Sequence, residues 1–405
     1  MRVAVLGAGF QGTGVAIELA RRGIEVDLYD LNEVCITQAG FRNEGKIHLG
    51  FTYANDGDFE TAKLMAVGGM AFGGILERWI ECDVASVGLS APYEYAVHRD
   101  SLVPAERIES HFAKVVALMR ELAESDGSDY LGQNVRNASF RAAIAHSDVF
   151  DPETIGSVLA TPELSIDVGK VTELLRQRVA AERRIAFLPN RRVSDVAPVQ
   201  SGWEVCCSDA DAPSRECYDQ VVNCLREGRL AIDQGAGLPP KPPWLHRLKF
   251  GVHFSLKEAN DALPCTTIVL GPYGDIVGFD ARRFYLSWYP SCLTGVSAEL
   301  LPPDWPRELT GEAGSRMIAA TIAGLAKAVV PLRGLSEADM QEVKVVGGII
   351  FAAGRTDIDD PNSQLHTRTK VGVSSRDGYH SVNTGKYTLA PMFAMQTADR
   401  VCSEA

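Results

Sequence analysis

"RVAVLGAGFQGTGVAIELARRGIEVDLYD", residues 2–30, decides the fold. A continuous apolar strand runs into Gly7, Gly9 and Gly12 in G-x-G-x-x-G spacing. A helix carrying Val15, Ile17, Leu19 and Ala20 follows, and a second strand closes on Asp30. Gly7 suits the tight turn, Gly9 the approach of a pyrophosphate to the backbone, and Gly12 close packing of helix on strand. The helix start offers free N–H groups and a positive dipole end to phosphates. Asp30, 18 residues after Gly12, is placed to accept hydrogen bonds from ribose hydroxyls. Residues 2–30 therefore predict a Rossmann-like dinucleotide-binding unit, and they leave FAD and NAD equally open, because both present an ADP half.

The chain has 405 residues, enough for two or three domains. Its 40 Lys and Arg against 52 Asp and Glu give 40 − 52 = −12, without a long basic run. That disfavours nucleic acid and anionic membrane as partners and leaves room for a local basic pocket. Nine cysteines without a C-x-x-C pair read as scattered thiols of a reducing compartment, with neither a disulfide framework nor a metal site. A strand beginning at Val3 leaves no room for a signal peptide, and apolar runs such as "VVGGIIFAAG" (345–354) fall short of a membrane span. A cytoplasmic protein acting on a small-molecule substrate is expected.

After the second strand comes "GFRNEGKIHLGFTYAND" (40–56), rich in glycine and polar residues where a plain NAD dehydrogenase continues into another βα unit. Here the sequence resembles the FAD-dependent oxidoreductases of the D-amino-acid oxidase superfamily, in the branch of L-2-hydroxyglutarate and glycerol-3-phosphate dehydrogenases. Asn43, Gly45, Ile47, His48 and Gly50 match a family stretch reading approximately N-S-G-x-I-H-x-G, with Glu44 in place of Ser. The resemblance implies that this stretch, Lys46 included, lies against a flavin.

Further segments fall in the order the family requires. "ELSIDVGKVTELLRQRVA" (163–180) is similar to the segment in which an Asp precedes a helix returning to the FAD domain, and Val171, Leu174, Leu175 and Val179 form its apolar stripe. Short β-rich pieces follow, with Val193 matching the position whose backbone meets the adenine. After "VVN" the family reads A-A-G, whereas this chain has Cys224, Leu225, Arg226 and Glu227 before Gly228. The last segment, "DGYHSVNTGKYTLAPMFAMQTADRV" (377–401), resembles the family's G-G-K-x-T-T stretch, which implies that Asn383, Thr384, Gly385, Lys386, Tyr387 and Thr388 meet the flavin pyrimidine.

The fold expected is α/β. It comprises a discontinuous FAD-binding domain (1–75, 150–235, 345–405) of glutathione-reductase type and an α+β substrate domain (76–149, 236–344) built on an antiparallel sheet. The function the resemblance implies is oxidation of a C–OH or C–NH group of a small polar metabolite by hydride transfer to flavin N5. His48 is the candidate base, since imidazole accepts protons near neutral pH, against a structural histidine or a covalent flavin link. Tyr285 and Tyr289 are further catalytic candidates from "RRFYLSWYP", and Arg355 and Arg368 are the candidates for a substrate carboxylate or phosphate. An NAD(P)-dependent two-domain dehydrogenase and a flavin-binding protein without turnover are the alternatives. The electron acceptor and the oligomeric state have no signal in the sequence.

Overall fold

In a computed structural model, residues 1–404 are described apart from 126, 128, 145, 146 and 209–212. Among the described residues the strands form four sheets. The first has six strands, ordered β20 (Gly372–Arg376), β21 (Tyr379–Asn383), β12 (Gln220–Asn223), β1 (Arg2–Leu6), β2 (Glu25–Tyr29) and β8 (Ile185–Leu188). β1 pairs in parallel with both β12 and β2. It is buried on both faces, which is why it reads as an unbroken apolar run instead of an alternation.

The pleat divides β1 between two cores. Val3 and Val5 face helices α1 (Phe10–Arg21), α4 (Val168–Ala181) and α8 (Ala390–Ser403), whose Val15, Ile17, Val171, Phe393 and Val401 share that core. Ala4 and Leu6 face a three-stranded meander of β9 (Val193–Val199), β10 (Gly202–Cys207) and β11 (Ser214–Tyr218), through Val196, Trp203 and Val205. α4 starts as its sequence suggests, with Asp167 accepting hydrogen bonds from the N–H groups of Gly169 and Lys170.

The largest sheet has the order β18 (Glu308–Leu309), β19 (Met340–Ala353), β13 (Trp244–Leu256), β16 (Arg283–Trp288), β15 (Gly274–Gly278), β14 (Thr266–Val269), β4 (Glu94–His98), β6 (Ile155–Ala160) and β5 (Arg141–Ile144), with β17 (Leu293–Ser297) on β13. It is antiparallel except where β14 runs parallel to β4. Two of its strands, β6 and β19, include residues of the 150–235 and 345–405 segments. The period of two sorts β13: Leu248, Phe250, Val252 and Phe254 lie in the outer core under helix α7 (Gly311–Leu325). Arg247, Lys249, Gly251 and His253 alternate with them and belong to the opposite face. α7 thus covers the large sheet through Met317, Ile318, Ile322 and Leu325; it does not lead back to the first domain.

A two-residue ribbon, β3 (Lys46–Ile47) on β7 (Leu164–Ser165), joins the two halves. Helices α2 (Glu60–Ile80) and α3 (Ala105–Ser125) pack beside it; Ile108, Phe112, Val115 and Met119 are core, as their spacing predicts. The shorter helices α5 (Arg229–Gly235) and α6 (Tyr289–Cys292) end β12 and β16.

Candidate active site

The glycine-rich turn has the geometry its spacing implies. Gly7 adopts φ +91°, and a Cβ there would sit 2.9 Å from the Cys224 carbonyl oxygen. A Cβ on Gly12 would meet the Gly7 oxygen at 1.9 Å, so the helix–strand contact itself demands glycine. Gly9 differs: nothing lies within 4 Å of its Cβ position, and it begins α1 without a side-chain cap. Open space in front of an uncapped helix start is a cradle for an anion. In the first turn of α1, buried Gln11 accepts a hydrogen bond from Thr384 Oγ1 (3.1 Å), while its Nε2 has no protein partner.

Asp30 ends β2 facing this turn. One oxygen accepts from the Ala8 N–H (2.7 Å), and the other accepts from the Asn32 N–H (2.8 Å) and side-chain amide (2.7 Å). Asp30 therefore shapes the glycine turn, and a carboxylate retains lone pairs for a ribose. The loop before Val193 closes over the same edge, with the Arg191 N–H donating to the Asp30 carbonyl. These residues would suit FAD: Gly9, α1 and Gln11 could hold its phosphates, Asp30 its ribose and the 190–193 loop its adenine end.

The stretch 41–53 and the stretch 383–388 are brought together. The His48 N–H donates to Thr388 Oγ1 at 2.9 Å, and His48 Nε2 lies 3.4 Å from Lys386 Nζ. Asn43 shapes the approach to β3, accepting from the Gly45 N–H at 2.8 Å. Gly45 (φ +69°) and Gly50 (φ +110°) are needed for reasons other than a neighbouring ring. A Cβ on Gly45 would meet the Ile166 carbonyl at 2.1 Å, and one on Gly50 the Ala62 carbonyl at 2.8 Å. Ile47 is core, Tyr387 stacks on Phe10 at 4.2 Å, and Asn383 and Gly385 line a cavity of about 230 Å³ with Arg368 and Phe351.

Around His48 lies a set of charges. Lys46, 3 % exposed, donates to Thr267 Oγ1, lies 3.3 Å from Glu163 Oε1 and sits over the rings of Tyr93 and Tyr95. Lys249 is 3.9 Å from Asp275. Arg247 donates to Asp357 (2.8 Å) and to the Tyr289 hydroxyl (2.7 Å), which itself donates to Asp357 (2.6 Å). Each of these cations has an acid. Among the described residues Lys386 and Arg368 form no ion pair with a carboxylate; Glu44 acts on Lys386 from beyond ion-pair distance.

Loss of hydration, then the charges of Lys386, Lys46 and Arg368, holds the His48 pKa well below its ordinary value. Burial also pushes the Lys386 ammonium down to about 8 and the Arg368 guanidinium to about 10. His48 at rest is thus a neutral ring beside an ammonium. The Arg368 Nη1 and the Tyr53 hydroxyl are buried without a well-formed hydrogen bond in the protein, although the two side chains are neighbours. Tyr285 is buried on the inner face against Gly251 and His253. Arg355 is exposed on the loop after β19. Glu163, Arg247, Asp357, Lys249 and Tyr53 had no sequence signal, since each is an ordinary residue in an ordinary strand or turn until the ladders meet.

The "CLREG" departure is accommodated by Arg226, at φ +54°, whose Nε donates to the Ile349 carbonyl of β19 (2.7 Å). The neighbouring Asn223 binds Asp233 and Tyr379.

A family model described as DAO, FAD dependent oxidoreductase, matches residues 2–286. No curated protein matches the sequence. Among solved structures, glycine oxidase from Geobacillus kaustophilus superposes with TM-score 0.66 at 14 % identity, covering 100 % of this chain and 95 % of its own. L-proline dehydrogenase from P. horikoshii gives TM-score 0.66 at 14 % identity over 99 % and 93 %. L-alpha-glycerophosphate oxidase from Mycoplasma pneumoniae, solved with FAD bound, gives 0.62 at 12 % over 99 % and 94 %. At these identities the likeness is one of fold.

Proposed function

This chain belongs to the FAD dependent oxidoreductase (DAO) family, and from that premise we propose that it oxidises a C–OH or C–NH group of a small polar metabolite bearing a carboxylate or phosphate. Bound FAD supplies the acceptor for the hydride. The observation that carries the reading is the contact of His48 with Lys386 beside a cavity lined by Arg368. Two half-buried cations, with carboxylates acting on them only from beyond ion-pair distance, favour an anionic group on the substrate, because a desolvated charge without a close partner is costly until something neutralises it. Arg368, with Nη1 unpaired, is the anchor we assign, and Tyr53 hydroxyl is a second donor. Arg247, already held by Asp357 and Tyr289, is a second guanidinium whose charge reaches Arg368.

Proton removal falls to the His48–Lys386 pair. While Lys386 is an ammonium it directs a proton at Nε2, and the ring is closed to any other donor. Once that proton has left, the substrate O–H or N–H proton can pass to the pair. Tyr285 and Tyr289, whose pKa values burial raises, then serve as walls and hydrogen-bond donors; they do not act as bases.

The test is purification with FAD followed by anaerobic addition of hydroxy acids, amino acids, amines and sugar phosphates. Bleaching of the flavin band by an anionic member is expected. Bleaching by neutral or cationic members alone would refute the anionic requirement, and none at all would favour a flavin-binding protein without turnover.

A further inference from the structure

Glu163 is fully buried, and its ion pair with Lys46 does not account for all of its contacts. It stands one residue before β7, so the β3–β7 ribbon fixes it against the stretch that carries His48. Its Oε2 accepts from the Leu49 N–H at 2.6 Å. Its Oε1 accepts from the Tyr95 hydroxyl at 2.5 Å, lies 3.3 Å from Lys46 Nζ and 3.7 Å from His48 Nδ1. Each contact is to a residue in, or packed on, the segment 46–49. Lys46 does not need all of this, since Thr267 and two aromatic faces already receive its ammonium.

The His48 ring lies between opposite charges. The Lys386 ammonium faces Nε2 and donates to it, so a neutral ring must carry its own hydrogen on Nδ1. Nδ1 is buried, has no hydrogen-bond partner, and has the Glu163 carboxylate as the acid facing it. The other groups facing the ring are Lys46, Arg368 and Tyr53, two cations and a phenol. From this geometry we propose that Glu163 is a positioning residue that holds His48 in the Nδ1–H form and stabilises the ring when Nε2 takes a proton. In that step the substrate O–H or N–H bond breaks, an Nε2–H bond forms, and the positive charge on the ring is met by the Glu163 carboxylate. The proposal rests on His48 and Lys386 as the proton-handling pair.

Nitrogen-15 NMR of the FAD-loaded protein labelled in histidine tests it without substrate. The His48 signals are assigned by their loss in His48→Gln. Native His48 is expected as Nδ1–H with an unprotonated Nε2; in Lys386→Met, where no ammonium faces Nε2, that preference should persist, and it should be lost only when Glu163→Gln is added, while Tyr95→Phe, which keeps the carboxylate, retains it. In Glu163→Gln the pH midpoint of flavin reduction should also fall by about 1 unit, because the acid favouring the protonated pair has gone. A merely structural Glu163 would lower melting temperature and FAD content and leave tautomer and midpoint unmoved. Native His48 found as Nε2–H overturns the proposal even if Glu163→Gln does not fold. Absence of any bleaching substrate would instead refute the proposed function, and the His48 tautomer in Lys386→Met would still decide on Glu163.

Discussion

Replacing Lys386 by Met removes the ammonium that faces His48 and keeps a side chain of similar length. In the native protein, unit positive charges on both groups at 3.4 Å would repel by about 5 kcal/mol at an effective dielectric constant of about 20. The pair therefore holds a single proton in the neutral range, and it rests on Lys386. That proton leaves as pH rises through about 8. At pH 7 roughly one pair in eleven is open to accept a substrate proton, so the limiting rate of anaerobic flavin bleaching should climb about tenfold between pH 7 and pH 10. The sign follows from the depressed lysine: the competent form is the deprotonated one, gained on the alkaline side. In Lys386→Met the step should vanish, leaving a flat profile over that range, with a lower ceiling because a cation beside the reacting centre has been lost. Stopped-flow bleaching by an anionic substrate found in the anaerobic screen measures both profiles. A step near pH 8 that survives in Lys386→Met would refute the assignment, since some other group would then be titrating.

Three other perturbations follow from the geometry. Gly9→Val should abolish FAD binding with little change in the stability of the unloaded protein, because its Cβ position is open space in front of α1; stoichiometric FAD in the purified variant would contradict it. Asp30→Ala should weaken FAD binding and also cost the unloaded protein about 2 kcal/mol in chemical denaturation, since Ala8 and Asn32 lose a charged acceptor. Arg368→Met should raise the half-saturating concentration of an anionic substrate by about 10- to 100-fold, a charged hydrogen bond being worth about 1.5–3 kcal/mol; an unchanged value would move the anchor to Arg247.

The nucleotide end of the site was legible because its physics is local. Gly7, Gly9, Gly12 and Asp30 announce a strand, a turn and a helix through spacing alone, and the meeting of residues 41–53 with 383–388 came from a resemblance of short motifs. What stayed hidden depends on long-range registers. Arg247 acquires its partner through the loop that follows β19, and Lys249 faces Asp275 across two strand pairs. The close neighbours that require glycine at 45 and 50 are the carbonyls of Ile166 and Ala62, which only the folded chain brings there. Between the two candidate arginines, sequence offered no way to see that Arg355 is exposed while Arg368 lines the cavity.

The bond from the His48 N–H to Thr388 spans 340 positions of the chain. At about 5–20 residues per second, a ribosome that has made His48 needs roughly 17 to 68 s more before Thr388 exists. β12, which completes the pairing of β1, is likewise made long after β1 itself. Until β12 is made the glycine turn has one neighbouring strand, and until Thr388 is made the segment carrying His48 lacks its partner. On the proposed reading, cofactor capture is a finishing event of synthesis, and a nascent chain stalled before residue 388 holds the glycine turn without the partner of His48.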